Sequence, residues 1–223
     1  MVFDIFRRGD PGIDSILRQV IEMLNDARHS FDLATDALLS GVEPAAVAND
    51  IRETDHRINQ AEQALRSALV VHVSVKGGGD IGTVLGYILL IKKIERIGDQ
   101  AKNILDLAEE GVSFAGASDL AELIALRRSV SDLFGRVGHL LAAPVTSEAD
   151  DSWADIDVLR QACEKKVREY LHSDRPGTEV VPRAIFYRYL KRIVANLGGV
   201  TDATEPLTKQ DYRNDGQTDI ADD

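Results

Sequence analysis

Between Ile13 and Leu38 the apolar residues recur at alternating spacings of four and three: Ile13, Leu17, Val20, Leu24, Ala27, Phe31, Ala34 and Leu38. A strand, whose side chains alternate with period two, cannot use that pattern. A helix of about 3.6 residues per turn gathers all of them onto one stripe. A stripe this long requires a long helix lying against at least one other in a left-handed bundle. Gly41 then suits a helix end and Pro44 the first turn of the next helix. Val47, Ile51, Thr54, Ile58, Ala61, Leu65 and Ala68 repeat the spacing. The run Ala68 to Val75 is rich in β-branched residues, which lowers helix propensity, but a lone strand there would have nothing to pair with. It is therefore read as helix up to Lys76. Gly77-Gly78-Gly79 reads as an interhelical turn, because it lacks the Lys-Ser or Lys-Thr of a phosphate loop and follows no strand. Asp80 suits the N-cap of a third helix, which runs to Glu110-Gly111 with Ile91, Ile94, Gly98, Ala101 and Leu105 on its seam.

The pattern then starts again. Leu123, Leu126, Val130, Leu133, Val137 and Leu140 mark a fourth helix stopped near Pro144. Ile156, Leu159, Cys163, Val167 and Tyr170 mark a fifth, stopped between His172 and Gly177. Pro182 opens a sixth that carries Ile185, Tyr189, Ile193 and Val200. A break over Gly111 to Ser118 separates the two sets, and Asp55 and Glu62 recur as Asp157 and Glu164. The expected fold is all-α: two tandem three-helix bundles, residues 12–112 and 116–203, each able to bury its own seam. Residues 1–11 are an N-terminal extension. Residues 204–223, with six acidic and two basic side chains, have the composition of a disordered tail.

Composition narrows the function. A net charge of -11 argues against nucleic acid, which is held by clustered Lys and Arg. No run approaches the ~18 apolar residues of a membrane span, and Met1 to Arg8 is too short, with its charges on the wrong side, for a signal peptide. A cytoplasmic protein is expected. Phe3, Ile5 and Phe6 belong either to a frayed terminus or to a segment that docks on a partner or membrane surface. The single cysteine, Cys163, excludes an intrachain disulfide and lies in an apolar stripe as a small core residue. His29, His56, His72, His139 and His172 form no pair at the i, i+4 spacing of a helical zinc site. No Ser/His/Asp or Cys/His set presents itself, so no enzyme is expected. A carboxylate-bridged metalloenzyme or storage bundle would need Glu-x-x-His motifs on paired helices, and none is expected here. Arg183, Arg188, Lys191 and Arg192 form a basic stripe, read as a solvated face before a partner contact.

The most informative stretch is Ile94 to Ile104. Glu95 and Asp99, at i and i+4, share one helix face, where like charges repel. Either they form a solvated acidic edge balanced by Lys92, Arg96 or Lys102, or they hold a cation. Asn103 adds an oxygen one turn on, and three oxygens in a row suit a hard or borderline metal ion. Glu95-Arg96-Ile97-Gly98-Asp99, followed by Ala101 and Asn103-Ile104, resembles the signature of the PhoU family, regulators of bacterial phosphate uptake. The resemblance implies the two-bundle fold and a non-enzymatic adaptor that restrains phosphate uptake and phosphate-starvation signalling. Its implied partners are a phosphate transporter's ATPase and a sensor histidine kinase, with the membrane reached only through them and room for a homodimer. It also implies iron or zinc at Glu95, Asp99 and Asn103. Asp55, in Asp55-x-x-Ile58-Asn59, is either a further ligand from the preceding helix or a surface charge. The second copy departs from the pattern: Lys191 stands where Glu95 would and Ala195 where Asp99 would, leaving at most one site. Ahead of the third helix only Asp80-Ile81 remains of the family's usual loop. The other reading kept open is an accessory subunit of a different phosphate permease, of the sodium-coupled or Pit type.

Overall fold

The computed structural model describes residues 11–77, 81–143 and 146–202. It contains α1 (Pro11–Leu39), α2 (Pro44–Lys76), α3 (Ile81–Glu109), α4 (Leu120–Ala142), α5 (Thr146–Leu171) and α6 (Gly177–Asp202). Among the described residues there is no strand, as the periodicity requires. Asp80 and the loop residues Gly78 and Gly79, Pro144, the segment ahead of Pro11 and the acidic tail lie outside the described residues.

Every seam residue expected on α1 is buried, and so are Ile16, Met23, Ala37 and Leu39. The buried face is wider than a heptad stripe because α1 packs on α2, α3 and α4 at once. On α2 the buried line slips by one residue relative to the heptad frame, so Glu62 and Leu69 are buried where Ala61 and Ala68 were expected. An α-helix drifts by ~20° per heptad against a strict seven-residue repeat, and over a helix of this length the drift exchanges neighbouring positions. The same slip on α6 buries Phe186, Tyr187, Leu190 and Leu197 and leaves Ile185 and Tyr189 half-buried.

Within each set the three helices all pack on one another, and the two sets also meet. α1 lies on α4 and α3 on α6, and their apolar side chains form one continuous core. Phe31 and Phe134 stack across α1 and α4 at 5.6 Å between ring centroids. Beside them Arg127 reaches Asp32 at 3.2 Å and Asp36 at 3.3 Å, and Ser131 Oγ donates to Asp32 while accepting from Arg28 Nε.

Helix ends follow local chemistry. α2 stays helical through its valine run to Lys76, where the Gly77 N–H closes on the Val73 carbonyl at 2.9 Å. α3 ends in a Schellman turn: Val112 N–H bonds to Leu107 O and Gly111 N–H to Ala108 O, each at 3.0 Å, with Gly111 at φ +85°. α6 starts at Gly177, ahead of Pro182, which lies inside the helix instead of opening it. The N–H groups of Glu179 and Val180 reach Pro176 O at 2.9 and 3.2 Å, so a turn is formed before the proline, which forfeits a single backbone bond.

The expected break over Gly111 to Ser118 is a packed joint. Phe114 is buried, its N–H bonds to Leu38 O at 2.7 Å, and its ring lies 5.8 Å from Phe186. Arg183 stacks over that ring at 5.0 Å and donates from Nε and Nη2 to the Asp119 carboxylate at 2.9 and 3.0 Å. The hydrogen bond from Arg183 holds the Asp119 carboxyl below its ordinary range, against the opposing effect of burial. A depressed folded-state value gives stability that is present above the unfolded pKa of ~3.9 and is lost as pH falls through the folded value. Asp119→Asn should therefore cost about 1.5–3 kcal/mol at pH 7. In urea unfolding the gap between variant and parent should narrow below about pH 4; an equal gap at pH 7 and pH 3 would refute this account.

Candidate functional site: an acid and lysine groove between α2 and α3

The groove lies where α2 and α3 meet closely at Gly98. A Cβ placed on Gly98 would lie 3.0 Å from Ile58 Cδ1, so glycine is what admits this approach. Asp55 and Glu62 flank Ile58 on α2, and Glu95 and Asp99 flank Gly98 on α3. Acids from two helices are thereby brought to the flanks of one contact.

They sort into two groups, one on each side of Gly98. In the first, Lys102 Nζ stands 3.2 Å from Asp55 Oδ2 and 3.8 Å from Asp99 Oδ1. Asn59 Nδ2 also donates to Asp55, at 3.4 Å. In the second, Lys92 Nζ stands 2.7 Å from Glu95 Oε2 and 3.6 Å from Glu62 Oε1, and Arg66 adds a contact to Glu62 at 2.8 Å. The Glu62 and Glu95 side chains are each only 12 % exposed, against 43 % for Asp99. Burial, then the charge of Glu95, pushes the Asp99 carboxyl above its ordinary range, with Asp55 acting in the same sense and Lys102 and Lys92 opposing. The Lys92 ammonium is held above its own range, chiefly by its bond to Glu95.

Of the residues expected to hold a metal, Glu95, Asp99 and Asp55 do reach one groove, and Asn103 lies half-buried on α3 one turn beyond Asp99. The fit to a metal ion is poor. Among the described residues no three His, Cys, Asp or Glu side chains are grouped as a metal centre requires, and each pair of acids already faces an ammonium. Glu62 was absent from the expected set because the heptad frame put Ala61 in the seam. Its signal was its position two turns after Asp55 and its recurrence as Glu164. One Glu-x-x-His run does occur, at Glu53 to His56, but both of its ends are exposed on α2, and His56 contacts Gln60 at 2.9 Å.

In the second set of helices Lys191 forms an ion pair with Glu164, joining α6 to α5. A Cβ on Gly198 would lie 3.0 Å from Trp153 and 3.3 Å from Ile156, so α6 also has a glycine at a close contact with α5. The basic stripe on α6 is divided: Arg183 and Lys191 are held by Asp119 and Glu164, whereas Arg188 and Arg192 are exposed. Cys163 is fully buried and burial pushes its thiol up to about 12, in keeping with a core residue. The end of the α2 and α3 pair exposes Val70, Val71, Val75, Ile81, Leu85 and Leu89.

The family model of the PhoU domain matches residues 20–108, the span that contains this groove. The chain carries a PhoU domain. The whole fold is similar to the crystal structure of PhoU from Pseudomonas aeruginosa, with a TM-score of 0.72 at 18 % identity, covering 86 % of this chain and 95 % of that one. It is also similar to the phosphate transport system regulatory protein PhoU from Streptococcus pneumoniae, with a TM-score of 0.66 at 16 % identity over 86 % and 94 % of the two chains. Identities this low speak to the fold alone. No curated protein matches the sequence. Within the PhoU domain the glycine of the signature has a packing role that can be tested. Gly98→Val should destabilise by about 1–3 kcal/mol through overpacking against Ile58, and a thermal melt equal to the parent's would refute the close contact.

Proposed function

We propose that this protein regulates phosphate transport as a binding protein without catalytic chemistry. The observation that carries the reading is the PhoU domain over residues 20–108. The similar structure from Streptococcus pneumoniae is described as a phosphate transport system regulatory protein, and the likeness extends over both sets of helices. In this reading the chain works in the cytoplasm by contacting the ATPase of a phosphate transporter and a phosphate-sensing histidine kinase. In this reading it reaches the membrane through them; no described helix is long and apolar enough to cross one. The exposed apolar end of α2 and α3 supports a protein whose work is contact, because surfaces of that kind are ones that partners cover.

The test is expression in a bacterium that lacks its own regulator of phosphate uptake. The expected result is a phosphate-starvation reporter that falls silent in high phosphate, with the transporter's ATPase recovered alongside the protein. A reporter that stays active while folded protein accumulates would reject the proposal. A change in uptake confined to a sodium-coupled or Pit-type permease would assign the chain to that permease instead.

A further inference from the structure

The groove between α2 and α3 gathers four carboxylates, yet it carries its own cations. We propose that Lys92 and Lys102 are those cations: their ammonium groups stand where a bound metal would otherwise neutralise Asp55, Glu62, Glu95 and Asp99, so the protein keeps this groove without iron or zinc.

Three observations converge. Each lysine bridges an acid of α2 and an acid of α3, Lys102 between Asp55 and Asp99 and Lys92 between Glu62 and Glu95. The two stand on opposite sides of Gly98 along α3, Lys92 three residues before Glu95 and Lys102 three residues after Asp99, on the α3 face that meets α2. In the second set of helices a lysine likewise meets an acid of the neighbouring helix, Lys191 of α6 on Glu164 of α5, as a single ion pair. A divalent ion entering either place would have to displace an ammonium already in contact with the oxygens it needs. The lysine is tethered to the same helix, so its binding carries none of the translational cost that a free ion must overcome. This inference does not depend on the transport reading, and its test reads metal content and melting alone.

The experiment compares the full chain with the double variant Lys92→Met, Lys102→Met, which removes both ammonium groups and keeps apolar stems of similar length. The parent should hold well under one equivalent of iron or zinc by elemental analysis. Its melting temperature should not change with a chelator or with added Zn²⁺ or Mn²⁺. The double variant should melt lower than the parent in chelator and recover when Zn²⁺ or Mn²⁺ is added, as mass action requires of a newly opened cation site. Lys102→Met alone, at the more exposed group, gives the same reading if the double variant does not fold. Near-stoichiometric metal in the parent that disappears in Asp99→Ala would overturn the proposal. So would a lysine variant that melts like the parent in chelator, or one that melts lower and shows no response to either ion.

Discussion

A helix buried on several sides has to be matched by a neighbour on each of them, and α1 is such a helix. Its apolar face extends beyond the heptad stripe to Ile16, Met23, Ala37 and Leu39, so two partners cannot cover it. α2 and α3 take one side and α4 takes another. That demand joins the two sets of helices into one core, draws α3 onto α6, and turns the segment after Gly111 into a buried joint through Phe114. The polar contacts across α1 and α4, with Arg127 on Asp32 and Asp36, then set the register of a packing whose drive is apolar burial.

The number and order of the helices could be read from the spacing of apolar residues, because burial of a stripe is a one-dimensional property of the chain. What could not be read is how the stripes meet. The heptad frame places Ala61 and Ala68 on the α2 seam, whereas the real helix, drifting by ~20° per heptad, buries Glu62 and Leu69. The error matters chemically, since Glu62 completes one of the two acid and lysine groups. Pro182 misplaced the start of α6 for a related reason: a proline near a helix start signals a boundary only if no turn has formed before it. Arg183 could not be linked to Asp119 from the sequence at all, because that contact depends on the folding back of the segment around Phe114.

The signature stretch was legible as helix and as a cluster of acids, but its ionic partners were not. Spacing alone left Glu95 and Asp99 open to pairing with Lys92, Arg96 or Lys102, and the structure selects Lys92 and Lys102 because only these face α2. The selection follows from the approach at Gly98. A Cβ there would meet Ile58 Cδ1 at 3.0 Å, so a larger residue would press on the contact that brings Asp55 and Glu62 opposite these lysines. Glycine in this motif is thus an electrostatic residue at one remove, since it sets the distance over which the charges act.

Fold and site answer to different parts of the helices, which explains why they diverge here. The buried stripes tolerate exchange among apolar side chains as long as volume is kept, so a similar fold persists at 18 % identity to the Pseudomonas aeruginosa structure. The flanks that carry Asp55, Glu62, Glu95 and Asp99 contribute little apolar area to that burial, and their charges can change where the partners that neutralise them change too. α4 to α6 illustrate the point: a glycine, Gly198, again stands at a close helix contact, while Lys191 and Glu164 provide a single ion pair in place of a four-acid groove. Whatever the flank of a helix presents to its neighbour must be neutralised locally, because a half-buried carboxylate is expensive without a partner. In this protein the neutralising groups belong to the two helices themselves: Lys92 and Lys102 on α3, three residues from Glu95 and Asp99, and Arg66 on α2, four residues from Glu62.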